Sequence, residues 1–523
     1  MQSRFSYYAS AHSLSPEFYK TLLDRCWRRS GTLLYRPNQR NSCCPHYTIR
    51  LDSAGFHATR DQRQAINRFN RFVIGDAYAN EAARLHPRSR EEAKRRDTTF
   101  DLVERVHEAE CGNLPPLWPP QPHHGKKHAK KHAGGAATPP PQPQPPPPRP
   151  STTSAPEGSE EKGAEPAHRF EVTLEPDTFT EEKFLLFENY QRLVHKEPPS
   201  KITRQGFESF LCGSPLRRET VVDADGHQTK LGSFHQCYRL DGRLVAIGVL
   251  DLLPQCVSAV YFLYHESIHQ HSPGKLGALR EIALAREGGY RWWYSGFYIH
   301  SCPKMRYKID FSPQYVLDPE TYAWDALDRD TLGIFDRKPY VSLSKERRLA
   351  AQDTLGETGH GRKDAQNPEN GRLATARAGE DEDARMRDKG PHTPTPGAGS
   401  TKKDDDQGGN RGREDGGHVG AEEAEEEDEE DEDEDEGATA NSLLASNMPG
   451  LPPLDEVAQY DLDDVPILTP LQPEPFPVKY LVVWDSGDVL DGVSFKAKVA
   501  ELVAIMGADL LPQLCLDFRP PAS

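Results

Sequence analysis

This sequence predicts an α/β fold, in which an antiparallel meander is backed by helices. A small α+β unit stands ahead of it, and long segments build no core. Three observations predict this. Residues 232–264 read as three apolar strands, with Asp241-Gly242 between the first two, and Asp-Gly between apolar runs marks a hairpin. Apolar residues recur at helical spacing on both sides of the meander: Phe184, Phe187, Tyr190 and Val194 before it, then Leu276, Leu279, Ile282 and Ala283 after it. The 45 prolines and a mean hydropathy of −0.76 are too polar for one packed body of 523 residues.

The net charge of −17 is concentrated in one place. Residues 401–440 hold 19 Asp and Glu against 4 Lys and Arg, a net of −15, which leaves the rest of the chain at −2. A near-neutral remainder can carry a basic face, so the acidic total does not exclude a nucleic-acid partner. Nine cysteines in a chain of this length argue against a disulfide framework. No leader-like apolar segment and no apolar run of about 18 residues is visible, so the expectation is a protein of a reducing compartment, without a membrane span.

Taken in order, residues 1–110 read as a small basic N-terminal unit. Ser15-Pro16-Glu17 starts a helix, expected to run through Leu22, Leu23 and Cys26 and to stop at Trp27-Arg28-Arg29-Ser30-Gly31. Thr32–Tyr35 and His46–Leu51 are strand-like, with Cys43-Cys44-Pro45 between them. On spacing alone, those two cysteines read as inert or as half of a metal site. Residues 59–74 and 88–109 read as Arg-rich helices, the second a solvated one. Residues 111–168 form a Pro-rich linker holding the run His123–His132. Order resumes at Arg169 with a strand, a helix over 180–196, the meander, the helix opened by Pro273 and an aromatic strand over 290–298. Residues 340–455 read as a disordered acidic insert. Val478–Trp484 reads as a strand and Ser494–Met506 as a helix, a C-terminal part spanning 456–523 that docks on the sheet over 169–339.

The order strand, helix, three antiparallel strands, helix, strand matches an acyl-CoA N-acyltransferase-like fold. There an acyl donor binds where the sheet splays, beside the helix after the third meander strand. In this chain that helix opens with Ser272-Pro-Gly-Lys275-Leu-Gly277, without the arginine of a tight coenzyme A loop. Beyond the aromatic strand, Gly296–Lys308 gathers His300, Cys302, Lys304, Arg306, Tyr307 and Lys308. From spacing alone the cluster reads equally as a site rim or as a solvated basic turn after a strand stopped by Pro303.

At the level of motifs the chain resembles the arginyl-tRNA–protein transferase family of the N-degron pathway. The first unit contributes Leu23–Gly31 and Cys43–Arg50. The second contributes His195–Pro199, Phe210–Pro215, Gly232–Tyr238, Ala246–Pro254, Ala278–Ala283, Gly296–Lys308 and Pro319–Trp324. The resemblance implies transfer of arginine from Arg-tRNA to the α-amino group of proteins beginning with Asp, Glu or oxidised Cys, which marks them for ubiquitin-dependent degradation. It implies a monomer acting in the cytoplasm, with the nucleus as a second place. Three alternatives stand beside it: a coenzyme A-dependent N-acyltransferase, a leucyl-tRNA–protein transferase, and a non-catalytic RNA-binding protein.

The ester is already activated, so the transfer itself requires no cofactor. The site must align a neutral amine, stabilise an oxyanion and read an acidic side chain. By residue type, His235 or His300 takes the proton, and Tyr298 and Tyr307 donate to the oxyanion. Asp251 holds the arginyl guanidinium. Lys304, Arg306 and Lys308 neutralise the acidic side chain or the 3′-terminal phosphates. Trp27, Arg28, Arg29 and Gln236 contact the substrate, and Lys275 and Arg280 the tRNA. Each has a structural alternative: a satisfied strand histidine for His235, a turn former for Asp251, helix-end packing for Trp27–Arg29. The family's iron–sulfur cluster uses a CxxC ahead of the first helix together with the Cys-Cys-Pro cysteines. This sequence begins just inside that position, so the expectation is that Cys43 and Cys44, as two thiolates, hold no stable cluster.

Overall fold

The computed structural model describes residues 6–117, 164–359, 443–485, 487–489 and 491–519. Most of the expected Pro-rich linker and acidic insert, including His123–His132, lies outside the described residues. Residues 1–346 and 420–523 form one compact unit, to which everything below refers. Residues 347–419 form a second, whose described part is the remainder of one helix.

After strand β1 (Ser6–Ser10), Ser15 caps helix α1 (Pro16–Leu23) by accepting the Phe18 N–H at 3.2 Å, with Pro16 in the first turn. The helix stops at Leu23, earlier than its sequence suggests. Arg28–Ser30 (β2) and Leu33–Pro37 (β3) then form a hairpin, and β1 pairs with the far side of β3. Gly31 is the hairpin turn at φ +55, not a helix cap. An added Cβ there would lie 2.0 Å from the Ser209 carbonyl oxygen, so only glycine lets the hairpin tip approach that backbone.

Strand β4 (Tyr47–Asp52) leads to α2 (Arg60–Ile74), started by a reciprocal Thr59/Gln62 capping box. A further helix, α3 (Asp76–Leu85), follows. The helix expected over 88–109 is two, α4 (Arg90–Thr98) and α5 (Leu102–His107), because Thr99 turns extended and Asp101 caps a new start. Next come β5 (Phe170–Pro176), then α6 (Glu181–Tyr190) running into a π-turn over Gln191–His195, then α7 (Arg204–Phe207) running into a second over Glu208–Cys212. Strand β6 (Glu219–Val222) precedes the meander β7 (Gln228–Leu240), β8 (Arg243–Leu253) and β9 (Cys256–Tyr264). Helix α8 (Pro273–Glu287) lies against it so closely that a Cβ on Gly277 would meet the Phe262 ring at 2.3 Å.

The aromatic stretch is two short strands, β10 (Trp292–Tyr294) and β11 (Phe297–Tyr298), broken by Gly296 at φ +85. Pro303 does not end a strand; it opens a 3₁₀ segment over Pro303–Asp310. Strands β12 (Gln314–Leu317) and β13 (Trp324–Ala326) and helices α9 (Arg329–Phe335) and α10 (Leu343–Gly359) follow.

The main path of the large sheet runs β13-β12-β4-β10-β9-β8-β7-β5. A strand from the segment read as a separate N-terminal unit thus stands in the middle of the catalytic sheet, between β12 and β10. Nothing local in Tyr47–Asp52 announces that pairing.

Near the C-terminus, α11 (Leu454–Val457), β14 (Pro466–Thr469), β15 (Gln472–Pro477), α12 (Val482–Asp485), α13 (Phe495–Met506) and β16 (Leu516–Asp517) complete the fold. The strand expected at 478–484 is absent: Val478–Tyr480 is a 3₁₀ turn leading to α12. Val478 and Trp484 are buried and Leu481 partly so, while Tyr480, Val482 and Val483 face solvent. That inward spacing of three is helical, not the period of two of a strand. Helix α13 is present with Ser494 as cap, and its end docks on the hairpin layer. Ile505 O accepts from Trp27 Nε1 at 3.3 Å and from Arg36 at 3.1 Å, and Met506 O accepts from Arg25.

Helices α5 and α8 are tied by His107, whose Nδ1 lies 2.7 Å from Glu110 and whose Nε2 lies 2.8 Å from Glu287. Hydrogen bonding to Glu110 first, then to Glu287, pushes His107 up to about 9. A histidine raised on folding stabilises fully below its unfolded value of about 6.5, and the gain fades as pH rises through the folded value. The melting temperature of the chain should therefore exceed that of His107→Gln near neutrality, and the gap should close by about pH 9. A gap that persists unchanged above that pH would show that the pairing is not ionic.

Candidate active site

The sheet opens at one point. Strands β9 and β10 run parallel and pair only over Cys256–Ser258 with Trp292–Tyr294. After Tyr294 the chain kinks at Gly296 and β11 pairs with β4 instead, Phe297 opposite Thr48 and Tyr298 opposite Tyr47. Residues 259–264 of β9 are left without a strand on that side among the described residues. The same stretch carries a bulge: Val249 faces Tyr261 but Leu250 faces Ala259, so Val260 is an extra residue in the ladder.

The hairpin β2–β3 lays two arginines on this opening. Arg29 is closed into the sheet. Its Nε and Nη2 donate to the two Asp251 carboxylate oxygens at 2.8 and 2.5 Å, and Nη2 also donates to Ser233 Oγ at 3.1 Å. The pair is almost fully enclosed, at 2% and 0% side-chain exposure. Burial alone would lower the arginine, but the Asp251 charge and hydrogen bonds hold it above its usual value. Asp251 therefore serves the chain's own guanidinium, and both of its oxygens are already engaged.

Arg28 is different. It is 6% exposed, its Nη1 donates to Ser258 Oγ at 3.3 Å, and its Nε and Nη2 have no hydrogen-bond partner among the described residues. Among the described residues no carboxylate pairs with it. Its guanidinium carbon lies 5.9 Å from the Tyr294 ring centre and 5.3 Å from that of Phe297, so it spans the split from β9 to β10 and β11. Tyr294 is fixed in turn by donating to Asp24 at 2.8 Å and by Arg50, held between Trp292 and Trp324 at 3.8 and 3.9 Å. A buried cation without a counter-charge is costly unless an anion arrives.

The other expected residues divide by location. His235 lies in the Arg29 neighbourhood, with Ser233–Asp251 and His235–Val249 as cross-strand pairs. It is fully buried, lies 2.9 Å through Nε2 from Leu211 O, and is pushed down to about 4 by burial first and by Lys183 second, so it is neutral near pH 7 and a weak base. Gln236 is buried and accepts from Tyr238 at 2.6 Å. Lys308 is buried and donates to Phe297 O at 3.0 Å, bracing the kinked strand.

Tyr298 points to the face opposite Phe297, since neighbours alternate along a strand. There it forms a relay with His300 at 2.8 Å and Asp336 at 2.8 Å, beside Phe335 and Arg306. Burial pushes Tyr298 up to about 12. Asp336 had no sequence signal, lying on the loop after α9 with no spacing rule to connect it to His300. Lys304 is exposed and Tyr307 partly buried in the 3₁₀ segment.

Three further expectations fail on burial or pairing. Trp27 has no exposed surface and packs edge-on to Tyr7, so it belongs to the core and cannot stack on a base. Arg280 is 6% exposed and committed to Glu110 and Val106 O on the α8 side. Lys275, at the start of α8, is paired with Asp61. A small apolar recess of about 30 Å³ lies on that side too, lined by Ile66, Phe69, Phe170, Phe262 and Leu276, but it offers a reacting ester little polar chemistry.

Cys43 and Cys44 hold their sulfurs 3.6 Å apart near the surface. The one close grouping of three or more His, Cys, Asp or Glu ligands among the described residues is instead Asp223, Asp225 and His227.

Comparison with known proteins decides the family. The chain matches the family models "Arginine-tRNA-protein transferase, N terminus" over residues 1–64 and "Arginine-tRNA-protein transferase, C terminus" over 182–318. It is 28% identical to arginyl-tRNA–protein transferase 1 of Drosophila melanogaster, over 64% of this chain and 80% of that protein. It is 27% identical to arginyl-tRNA–protein transferase 1 of Arabidopsis thaliana, over 66% and 72%.

The chain belongs to the arginine-tRNA-protein transferase family.

A shorter stretch, 26% of the chain, is 36% identical to the aspartate/glutamate leucyltransferase of Pseudomonas fluorescens over 52% of that protein. In this member of the transferase family, the N-terminal match supplies the hairpin with Arg28 and Arg29, and the C-terminal match supplies the split sheet they rest on. Neither half makes the site alone.

Proposed function

We infer that this chain transfers arginine from the 3′ end of Arg-tRNA to the α-amino group of proteins that begin with Asp, Glu or oxidised Cys, and so marks them for ubiquitin-dependent degradation. One observation carries the acceptor side: the buried guanidinium of Arg28, without a carboxylate partner among the described residues, laid across the split between β9 and β10. An acidic side chain next to the attacking amine supplies the missing charge. The family's bacterial relatives, named for aspartate and glutamate, point the same way.

The split supports the acyl side. A bulge frees backbone groups from the ladder where β9 is uncovered, and fixed N–H dipoles are what a developing oxyanion needs. The amine, with a pKa of about 7.7–8.0, is partly neutral near pH 7, so a modest base suffices. No step passes through an iron–sulfur cluster. Because charged tRNA is a cytoplasmic species, the reading places the chain in the cytoplasm, with the nucleus second, acting as a monomer. Among the described residues no helix is long and apolar enough to cross a membrane.

The test is transfer of labelled arginine from Arg-tRNA to a peptide with N-terminal Asp. Incorporation is expected from Arg-tRNA and none of the acyl group from acetyl-CoA. Leucine transfer from Leu-tRNA at an equal rate would overturn donor choice. Binding of tRNA without transfer would overturn the enzyme reading.

A further inference from the structure

Resting on the reading of Arg28 as the acceptor-side cation, we propose that Arg36 is a positioning residue for the transfer: by gripping the end of α13 it holds the hairpin so that Arg28 lies across the split.

Arg28 needs such a hold. A buried guanidinium with no carboxylate partner among the described residues is costly, and the cost falls if the strand carrying it moves toward water. The hairpin is too small to resist on its own. Strand β2 has three residues and β3 five, and a lone two-stranded hairpin is marginal in water. The tip is fixed by the Arg29–Asp251 pair and by the close approach of Gly31 to the Ser209 backbone. Arg28 stands at the other end, opposite Tyr35, and that end needs an anchor of its own.

The register shows where the anchor lies. Arg28 and Tyr35 are cross-strand partners and share a face of the hairpin. On that face both meet Phe297, Arg28 at 5.3 Å and Tyr35 edge-on at 6.2 Å. Arg36 is the next residue along β3, so its side chain leaves from the opposite face. There Nη1 donates to Ile505 O at 3.1 Å and Nη2 to Pro449 O at 2.6 Å, with the Tyr322 ring centre 5.5 Å from the guanidinium carbon. Arg36 has no exposed surface.

Two neighbours join the grip. Trp27 Nε1 shares Ile505 O at 3.3 Å, and Arg25 donates to Met506 O and pairs with Asp509 at 2.7 Å. Ile505 and Met506 end α13, where carbonyls lack partners within the helix and the helix dipole is negative. Three side chains from residues 25–36 thus close on one helix end, and the hairpin lies between that end and the split. Among the described residues no carboxylate pairs with Arg36; it holds main-chain carbonyls of two separate segments. Such carbonyls cannot swing aside as a carboxylate side chain can, so the grip fixes a position. Near a reacting centre, a misplacement of about 1 Å can cost about 100-fold in rate.

The experiment measures labelled arginine transfer from Arg-tRNA to two peptides, one beginning with Asp and one with Asn. The full chain is compared with Arg36→Met, Arg25→Gln, Arg28→Gln and the double variant Arg28→Gln/Arg36→Met, with a melting curve for each. Arg36→Met keeps the bulk and loses the fork. It should cut the preference for Asp over Asn in kcat/KM by about tenfold, mainly through a higher peptide KM, with the KM for Arg-tRNA within about twofold of wild type. A merely structural role would lower the folded fraction, which scales both peptides alike and leaves the preference unchanged. On the Asp peptide, Arg36→Met should cost about tenfold in the wild-type background but within about twofold in Arg28→Gln, because Arg36 acts through Arg28. Arg25→Gln, at the more exposed edge of the same joint, should cut the preference by about threefold. Wild-type preference in a folded Arg36→Met, or equal losses in both backgrounds, would overturn the assignment. Should Arg36→Met misfold, wild-type preference in Arg25→Gln would overturn it on its own. A wild-type chain that does not prefer Asp would overturn the underlying reading instead.

Discussion

Arg29→Ala should lower the stability of the chain by about 3–5 kcal/mol, because it leaves Asp251 charged and unpaired in the sheet. Both side chains are almost fully enclosed, at 2% and 0% exposure, so water cannot replace the lost partner. Asp251→Ala should cost a similar amount by stranding Arg29. Arg29→Lys should not rescue, because an ammonium cannot donate to both Asp251 oxygens and Ser233 in the same fork. Replacing both partners with apolar residues of similar size, Arg29→Met with Asp251→Leu, should recover most of the loss. Denaturant melts of the two single variants and the pair measure this directly. Single variants as stable as wild type would mean that the ion pair is not closed in solution.

Arg28→Gln should do the opposite. It removes a buried charge that has no counter-ion among the described residues, so stability should hold or rise. Transfer to an Asp peptide should fall, because the acidic side chain loses its charged partner in a desolvated niche. A loss of about 2–5 kcal/mol, roughly 30- to 4,000-fold in kcat/KM, is the range for truncating such a pair. Two adjacent arginines of one short strand would then separate cleanly, one needed to fold and the other to react. Arg28→Gln with full activity on Asp peptides would remove the residue from the acceptor site.

The local parts of this fold were readable. Ser15-Pro16, the Thr59/Gln62 box and Asp241-Gly242 each carry their own stop or start signal, and the elements they bound are where the sequence puts them. What was not readable depends on distant partners. Tyr47–Asp52 is a good strand by composition, but its place between β10 and β12 is decided by residues more than two hundred positions away. The strand reading of Val478–Trp484 rested on β-branched and aromatic residues, and the inward spacing of three outweighed that propensity. Trp27-Arg28-Arg29 looked like one polar-aromatic surface at a helix end. In the structure these residues lie at and beside a hairpin strand, with Trp27 in the core, Arg29 in an ion pair and Arg28 at the opening.

The central claim, arginine transfer to an N-terminus read by its negative charge, is tested most directly by two peptides that differ in one group. Labelled arginine transfer from Arg-tRNA is measured for peptides beginning with Asp and with Asn, which share shape and differ in charge. The account predicts about a 100-fold preference for Asp in the wild-type chain, collapsing toward parity in Arg28→Gln. Equal rates on the two peptides in the wild type, or an Asp preference untouched in Arg28→Gln, would contradict it.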